Sequence, residues 1–142
     1  MLSIDVNVLV YAHREELPHQ PRFKTWLDDT VNAPDSFALS DLVLSAFIRV
    51  VTNPKIFPTR TTLDQAIAIT DLLRGRENCV IIAPGPRHWG IFVELCLKSG
   101  AKGNLVSDAY HAALAIESGS EWITTDRDYA RFPGLRWRHP LG

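Results

Sequence analysis

The stretch Met1-Leu2-Ser3-Ile4-Asp5-Val6-Asn7-Val8-Leu9-Val10-Tyr11-Ala12 decides how the rest of the chain is read. Leu2 to Ile4 form a short apolar run suited to a buried strand, and Val6 to His13 read as the helix behind it. An aspartate at that junction is held firmly yet open to solvent, on the sheet edge where open α/β proteins bind ligands. Asp is also a preferred helix cap, and for an isolated Asp5 that plain role would suffice. The remaining sequence changes this balance.

Moving outward, Phe23, Trp26, Leu27 and Val31 mark one apolar helix stripe, with His19 and Pro21 near its start. Phe37 to Leu39 read as a second strand, and Ser40 as the cap of a helix burying Val43, Phe47, Val50 and Val51, ended by Asn53-Pro54. Thr62 with Gln65 fits a capping box for a helix that runs to Gly75. Cys79 to Ile82 follow as a strand. Pro86 suits the first turn of a helix whose predicted buried face is Trp89, Phe92, Val93, Cys96 and Leu97. Gly103-Asn104 open an alanine-rich helix through Ile116, and Trp122 to Thr124 read as a fourth strand. Arg127 to Arg131 make a short helical turn, and Leu135 to Arg138 a last strand. Alternating strands and helices imply one α/β domain over residues 1–142, with a mostly parallel twisted sheet of four to five strands flanked by helices on both faces.

Composition narrows the function classes. The chain has 142 residues, 46% hydrophobic and 22% charged, with a net charge of −1, so overall charge does not advertise a polyanion. A local group of arginines could still bind one while acids elsewhere cancel the total. Cys79 and Cys96 lie in apolar runs without metal spacing and read as reduced core residues. The start carries Asp5 rather than a basic segment and cleavage site, and no run approaches the length of a membrane span. A soluble, cytoplasmic protein is therefore expected, without a membrane partner.

Three aspartates fall where this topology could gather them: Asp5 after the first strand, Asp108 in the second turn of the alanine-rich helix, and Asp126 just after the fourth strand. Converging carboxylates repel one another and raise each other's pKa values unless a cation lies among them. Oxygen ligands without a histidine or thiolate select Mg²⁺ or Mn²⁺. Such a cation activates water and neutralises phosphoryl charge on a phosphodiester. Asn7, Thr124 and Thr125 could hold the carboxylates from behind.

Four blocks then carry a resemblance: Asp5-Val6-Asn7-Val8-Leu9-Val10-Tyr11-Ala12, Phe47-Ile48-Arg49-Val50-Val51-Thr52-Asn53-Pro54, Gly103-Asn104-Leu105-Val106-Ser107-Asp108-Ala109, and Thr124 through Leu135. In order and together they resemble the PIN-domain ribonucleases of the VapC toxin group. The resemblance implies a PIN-like fold and a Mg²⁺- or Mn²⁺-dependent endoribonuclease. It further implies the toxin half of a type II toxin–antitoxin pair, held by a VapB-like antitoxin and forming a homodimer. It places the metal-binding, catalytic acids at Asp5, Asp108 and Asp126, with Asp128 as an addition.

One position departs from that pattern. The family glutamate three residues before the arginine matching Arg49 is here Ala46. Asp41 is the nearest acid, but five residues along a helix turn it about 140° away from Ala46. Three acids with water, a contribution from Asp41 or Asp128, and a catalytically weak or inactive module that binds RNA or a partner protein all remain open. Arg49 reads as the partner of a nearby carboxylate. Arg127, Arg131, Arg136 and Arg138 fit either phosphate contacts or a solvated face. Trp26, Trp89 and Trp122 are expected in the core, Trp137 is left unassigned, and none of the four is read as a base-stacking surface. An aspartyl phosphotransferase would want a second aspartate where the chain has Asn7.

Overall fold

The computed structural model describes all 142 residues. Strand β1 (Leu2–Ile4) ends on Asp5, whose carboxylate accepts the Val6 amide at 2.7 Å and caps helix α1 (Val6–His13). Helix α2 (Gln20–Asn32) carries Pro21 in its first turn, where a missing N–H costs nothing. Strand β2 (Phe37–Ser40) is buried along its whole length, and Ser40 caps α3 (Asp41–Val51) by accepting the Val43 amide at 3.0 Å. Thr62 and Gln65 form the expected capping box at α4 (Leu63–Arg74). Strand β3 (Cys79–Ile82), helix α5 (His88–Ser99) and helix α6 (Asn104–Ser118) follow. Gly100 and Gly119, at φ +63° and +68°, close the last two helices in the left-handed conformation glycine tolerates. Strand β4 (Glu121–Ile123), a 3-10 helix (Arg127–Arg131) and strand β5 (Trp137–Arg138) complete the chain.

The five strands form one wholly parallel sheet in the order β3-β2-β1-β4-β5. From β1 the chain moves outward through β2 to β3, then returns past β1 to β4 and β5. Right-handed crossovers therefore place α1 to α4 on one face and α5 with α6 on the other, and these are the helices that pack on one another. The order reverses between β1 and β4, and a parallel α/β sheet opens a crevice at the strand C-termini of such a reversal. Asp5 leaves β1 at that point, and Thr124 leaves β4 beside it.

One core spans both faces, with Val8, Leu9, Phe47 and Val51 among its members from α1 and α3, and Ile4, Phe37 and Ile123 from the sheet. Ala109, Ala112, Ala113 and Ala115 of α6 are fully buried. Their small side chains let that helix approach its neighbours closely, as its alanine content suggests.

Three expectations need correction. Strand β5 keeps only Trp137 and Arg138 of the predicted Leu135–Arg138 run. Helix α5 begins at His88, so Pro86 lies in the turn before it. The helix is also rotated relative to the predicted face: His88 and Leu95 are buried, whereas Trp89 is 68% exposed, Leu97 78% and Val93 36%. Phe92 and Cys96 pack only partly against the core. Periodicity identified an apolar stripe but could not say whether the domain's own core covers it. Trp122 is in the core as expected, Trp26 only packs at its margin, and both cysteines are free and half-buried.

Candidate active site

Asp5 is 6% exposed, buried rather than open to solvent as expected at a strand end, and its carboxylate accepts three hydrogen bonds. One carboxylate oxygen accepts the Val6 amide at 2.7 Å; the other accepts the Thr124 hydroxyl at 2.7 Å and the Asn7 side-chain amide at 3.1 Å. The Asp5 amide extends the sheet ladder by donating to the Ile123 carbonyl at 2.9 Å. Asn7 also reaches across the β1–β4 seam, donating to Thr124 Oγ1 at 3.2 Å and accepting the Thr125 amide at 3.1 Å. Of the supporting residues foreseen, Asn7 and Thr124 act through side chains and Thr125 through its backbone.

The other two acids arrive on separate elements. Asp126 caps the 3-10 helix, accepting the Asp128 amide at 2.9 Å, while its own amide donates to Thr124 Oγ1 at 3.0 Å. Asp108 projects from α6 and accepts the Tyr129 hydroxyl at 3.3 Å. Asp5, Asp108, Asp126 and Asp128 line one cleft of about 780 Å³, together with Asn7, Arg49, His111 and Tyr129. The acids share this cleft without meeting at one point: no three His, Cys, Asp or Glu side chains stand close enough to make a ready metal site.

The electrostatics record the crowding. Burial pushes the Asp5 carboxyl up to about 6, against the hydrogen bonds from Thr124 and Val6, and the charges of Asp108 and Asp126 push it further the same way. Asp108 is raised by burial and by the Asp126 charge, with the Tyr129 hydroxyl pulling in the opposite direction. The Tyr129 phenol itself is raised strongly by burial and by Asp5, so it stays a hydrogen-bond donor. Burial lowers the His111 imidazole to about 4, which leaves it neutral.

Ala46 lines the cleft, but Asp41 does not. Asp41 is exposed and paired with Arg74 of α4 at 2.9 Å, so it does not stand in for the missing glutamate; Asp128 lies at the cleft instead. Arg49 lines the cleft without forming an ion pair, contrary to the pairing expected of it. The C-terminal arginines divide. Arg136 donates to the Gly119 carbonyl at 2.8 Å, Arg138 pairs with Glu121 at 2.9 Å, and Arg131 lies 3.9 Å from Asp128. Only Arg127 has no such partner.

Two cleft residues were not foreseen. His111 follows Asp108 by three residues on α6, and Tyr129 follows Asp126 by three on a 3-10 turn, where i and i+3 eclipse. That spacing was the available signal. His111 Nδ1 and Trp122 Nε1 are buried without hydrogen-bond partners, and the two rings stack with centroids 5.6 Å apart.

Comparison with known proteins agrees with this geometry. A family model described as PIN domain matches residues 2–135. Ribonuclease VapC43 of Mycobacterium tuberculosis is 43% identical over 141 residues, covering 99% of this chain and 96% of that protein. Ribonuclease VapC25 of the same species is 35% identical over 140 residues, covering 99% of both. Among solved structures, VapBC2 from Rickettsia felis bound to a promoter DNA fragment superposes with a TM-score of 0.71 at 20% identity, covering 97% of each chain. VapBC-1 from nontypeable Haemophilus influenzae gives 0.69 at 18% identity, covering 99% of this chain and 98% of that one. With an acid cleft at the sheet reversal and full-length similarity of this degree, the chain belongs to the PIN-domain family, among the VapC ribonucleases.

Proposed function

We propose that this protein is a metal-dependent endoribonuclease, the toxin of a type II toxin–antitoxin pair. The observation that carries the reading is the convergence of Asp5, Asp108 and Asp126 on one cleft at the reversal of strand order. Full-length relatives named ribonucleases support the activity. Solved neighbours described as VapBC complexes support a VapB-like antitoxin as partner.

The donor set fits Mg²⁺ or Mn²⁺, because carboxylates dominate: four aspartates line the cleft against one histidine. Asp5, Asp108 and Asp126 would hold the ion, with Asp128 at the rim. When bound, such a cation activates water and neutralises charge on the phosphoryl oxygens. The protein's own residues prepare for this. Thr124, Asn7 and the Val6 amide orient Asp5, and Tyr129 holds one Asp108 oxygen. Arg49, the cleft's one Lys or Arg, is free to meet a phosphate. The reaction is hydrolysis of an RNA phosphodiester, in which a water oxygen bonds to phosphorus as the bond to the departing sugar oxygen breaks.

A homodimer completes the reading, supported by the exposed Trp89, Val93 and Leu97 stripe on α5. Trp89→Glu should convert the dimer to monomer in light scattering, and an unchanged mass would count against that face. No helix is long and apolar enough to cross a membrane.

Ala46 favours a second reading, in which the cleft binds RNA or a partner protein without cutting. Incubating purified protein with total cellular RNA in Mg²⁺, Mn²⁺ or EDTA separates the two. Metal-dependent fragments support the nuclease; intact RNA in every condition, with folded protein, supports the binding module.

A further inference from the structure

We propose that a cavity behind the 3-10 helix is a second RNA subsite, which takes a phosphate flanking the scissile one and stacks its base on Trp137. The proposal rests on the ribonuclease reading.

The acid cleft is poorly equipped to hold a polyanion. Four aspartates line it and Arg49 is the only Lys or Arg among its walls. Affinity for nucleic acid comes mainly from cations placed against phosphates, so they must lie beside the cleft rather than in it.

The 3-10 helix separates the cleft from such a place. Its Asp128 and Tyr129 face the acids, while Arg127 and Ala130 line a cavity of about 520 Å³ with Trp137, Arg138, His139 and Gly142. No Asp or Glu side chain lines this cavity. Because Arg127 directly follows Asp126, a strand crossing the acids meets the cavity as it leaves.

The lining chemistry matches a nucleotide. Arg127 is exposed and makes no ion pair. Arg138 is already neutralised by Glu121. The Leu141 amide donates to His139 Nδ1 at 3.1 Å, which leaves Nε2 to carry the proton and donate. Phe23 supports that imidazole, with centroids 5.8 Å apart. Burial, then the charges of Arg127 and Arg22, hold His139 below its ordinary pKa. A half-buried Trp137 adds a flat apolar surface. Free guanidinium, neutral N–H donor and indole together suit a phosphate with an adjoining base.

The test is fluorescence anisotropy of a labelled single-stranded RNA oligonucleotide in EDTA, so that nothing is cut, repeated across several KCl concentrations. Arg127→Gln should weaken binding several-fold and reduce the slope of log affinity against log salt by about 0.7, the value for one phosphate contact on a single strand. Arg127 supports no other group, so this variant reads binding rather than folding. Trp137→Leu should weaken binding by about fivefold or more with little change in slope, as loss of a stacked base does. Asp108→Asn, which should abolish cleavage, should bind RNA at least as tightly as the parent. Unchanged affinity and slope in Arg127→Gln would overturn the subsite. Cleavage that survives with Arg127 irrelevant removes the subsite alone; Arg127-dependent binding without any cleavage removes the nuclease reading alone.

Discussion

The Thr124 hydroxyl donates to Asp5 Oδ2 at 2.7 Å across 119 residues of sequence, at the reversal between β1 and β4. Thr124 Oγ1 in turn accepts the Asp126 amide at 3.0 Å and the Asn7 side-chain amide at 3.2 Å. A threonine hydroxyl offers one donor and two acceptor sites, and all three are used here. One buried side chain thereby sets the positions of two of the acids.

Thr124→Val should show this directly. The shape is kept, but buried groups lose their partner, which costs about 1–3 kcal/mol. Losing a residue that orients metal-binding acids should lower cleavage by about 10- to 100-fold. Thr124→Ser should retain most of both. Denaturant unfolding and initial cleavage rates measure the two effects, and an unimpaired Thr124→Val would contradict this role.

The buried Asp5 predicts a pH dependence in the metal-free protein. Its carboxyl is raised from 3.8 to about 6, so the folded chain holds the proton more tightly than the unfolded chain does. The associated stability is fully present below about pH 4 and lost as pH rises to 6, by about 3 kcal/mol for a shift of this size. Asp5→Asn should remove that component, so the variant should gain on wild type between pH 4 and 7. A divalent cation should recover part of the loss in wild type alone. A difference between the two proteins that does not change with pH would contradict this.

Asp41 and Asp128 should separate cleanly. Asp41→Asn breaks an exposed pair with Arg74 outside the cleft and should leave cleavage unchanged. Asp128→Asn alters the cleft rim and should slow cleavage or raise the metal concentration required. A reversed order would mean that Asp41 moves into the cleft when RNA binds.

Much of this arrangement is legible in the sequence, for physical reasons that differ by residue. Asp5, Ser40 and the Thr62–Gln65 box mark helix starts because capping is local chemistry, and all three cap as expected. The alternation of strand and helix gives the parallel sheet. The rotation of α5 is less legible, because Trp89, Val93 and Leu97 follow helical spacing whether or not the domain covers them. Tyr129 is harder still, since its bond to Asp108 depends on how α6 and the 3-10 helix pack. The arginines divide for the same reason: Glu121 and the Gly119 carbonyl capture Arg138 and Arg136 only once β4 and β5 are side by side.

The central claim is that Asp5, Asp108 and Asp126 bind the cation that RNA cleavage requires. Its most direct test is calorimetric titration of Mn²⁺ into wild type and Asp108→Asn, with single-turnover RNA cleavage measured on the same preparations. Wild type should bind Mn²⁺ and cut only in its presence, while folded Asp108→Asn should lose both binding and cutting. Cleavage by wild type in EDTA, or undiminished metal binding and cutting by Asp108→Asn, would contradict the claim.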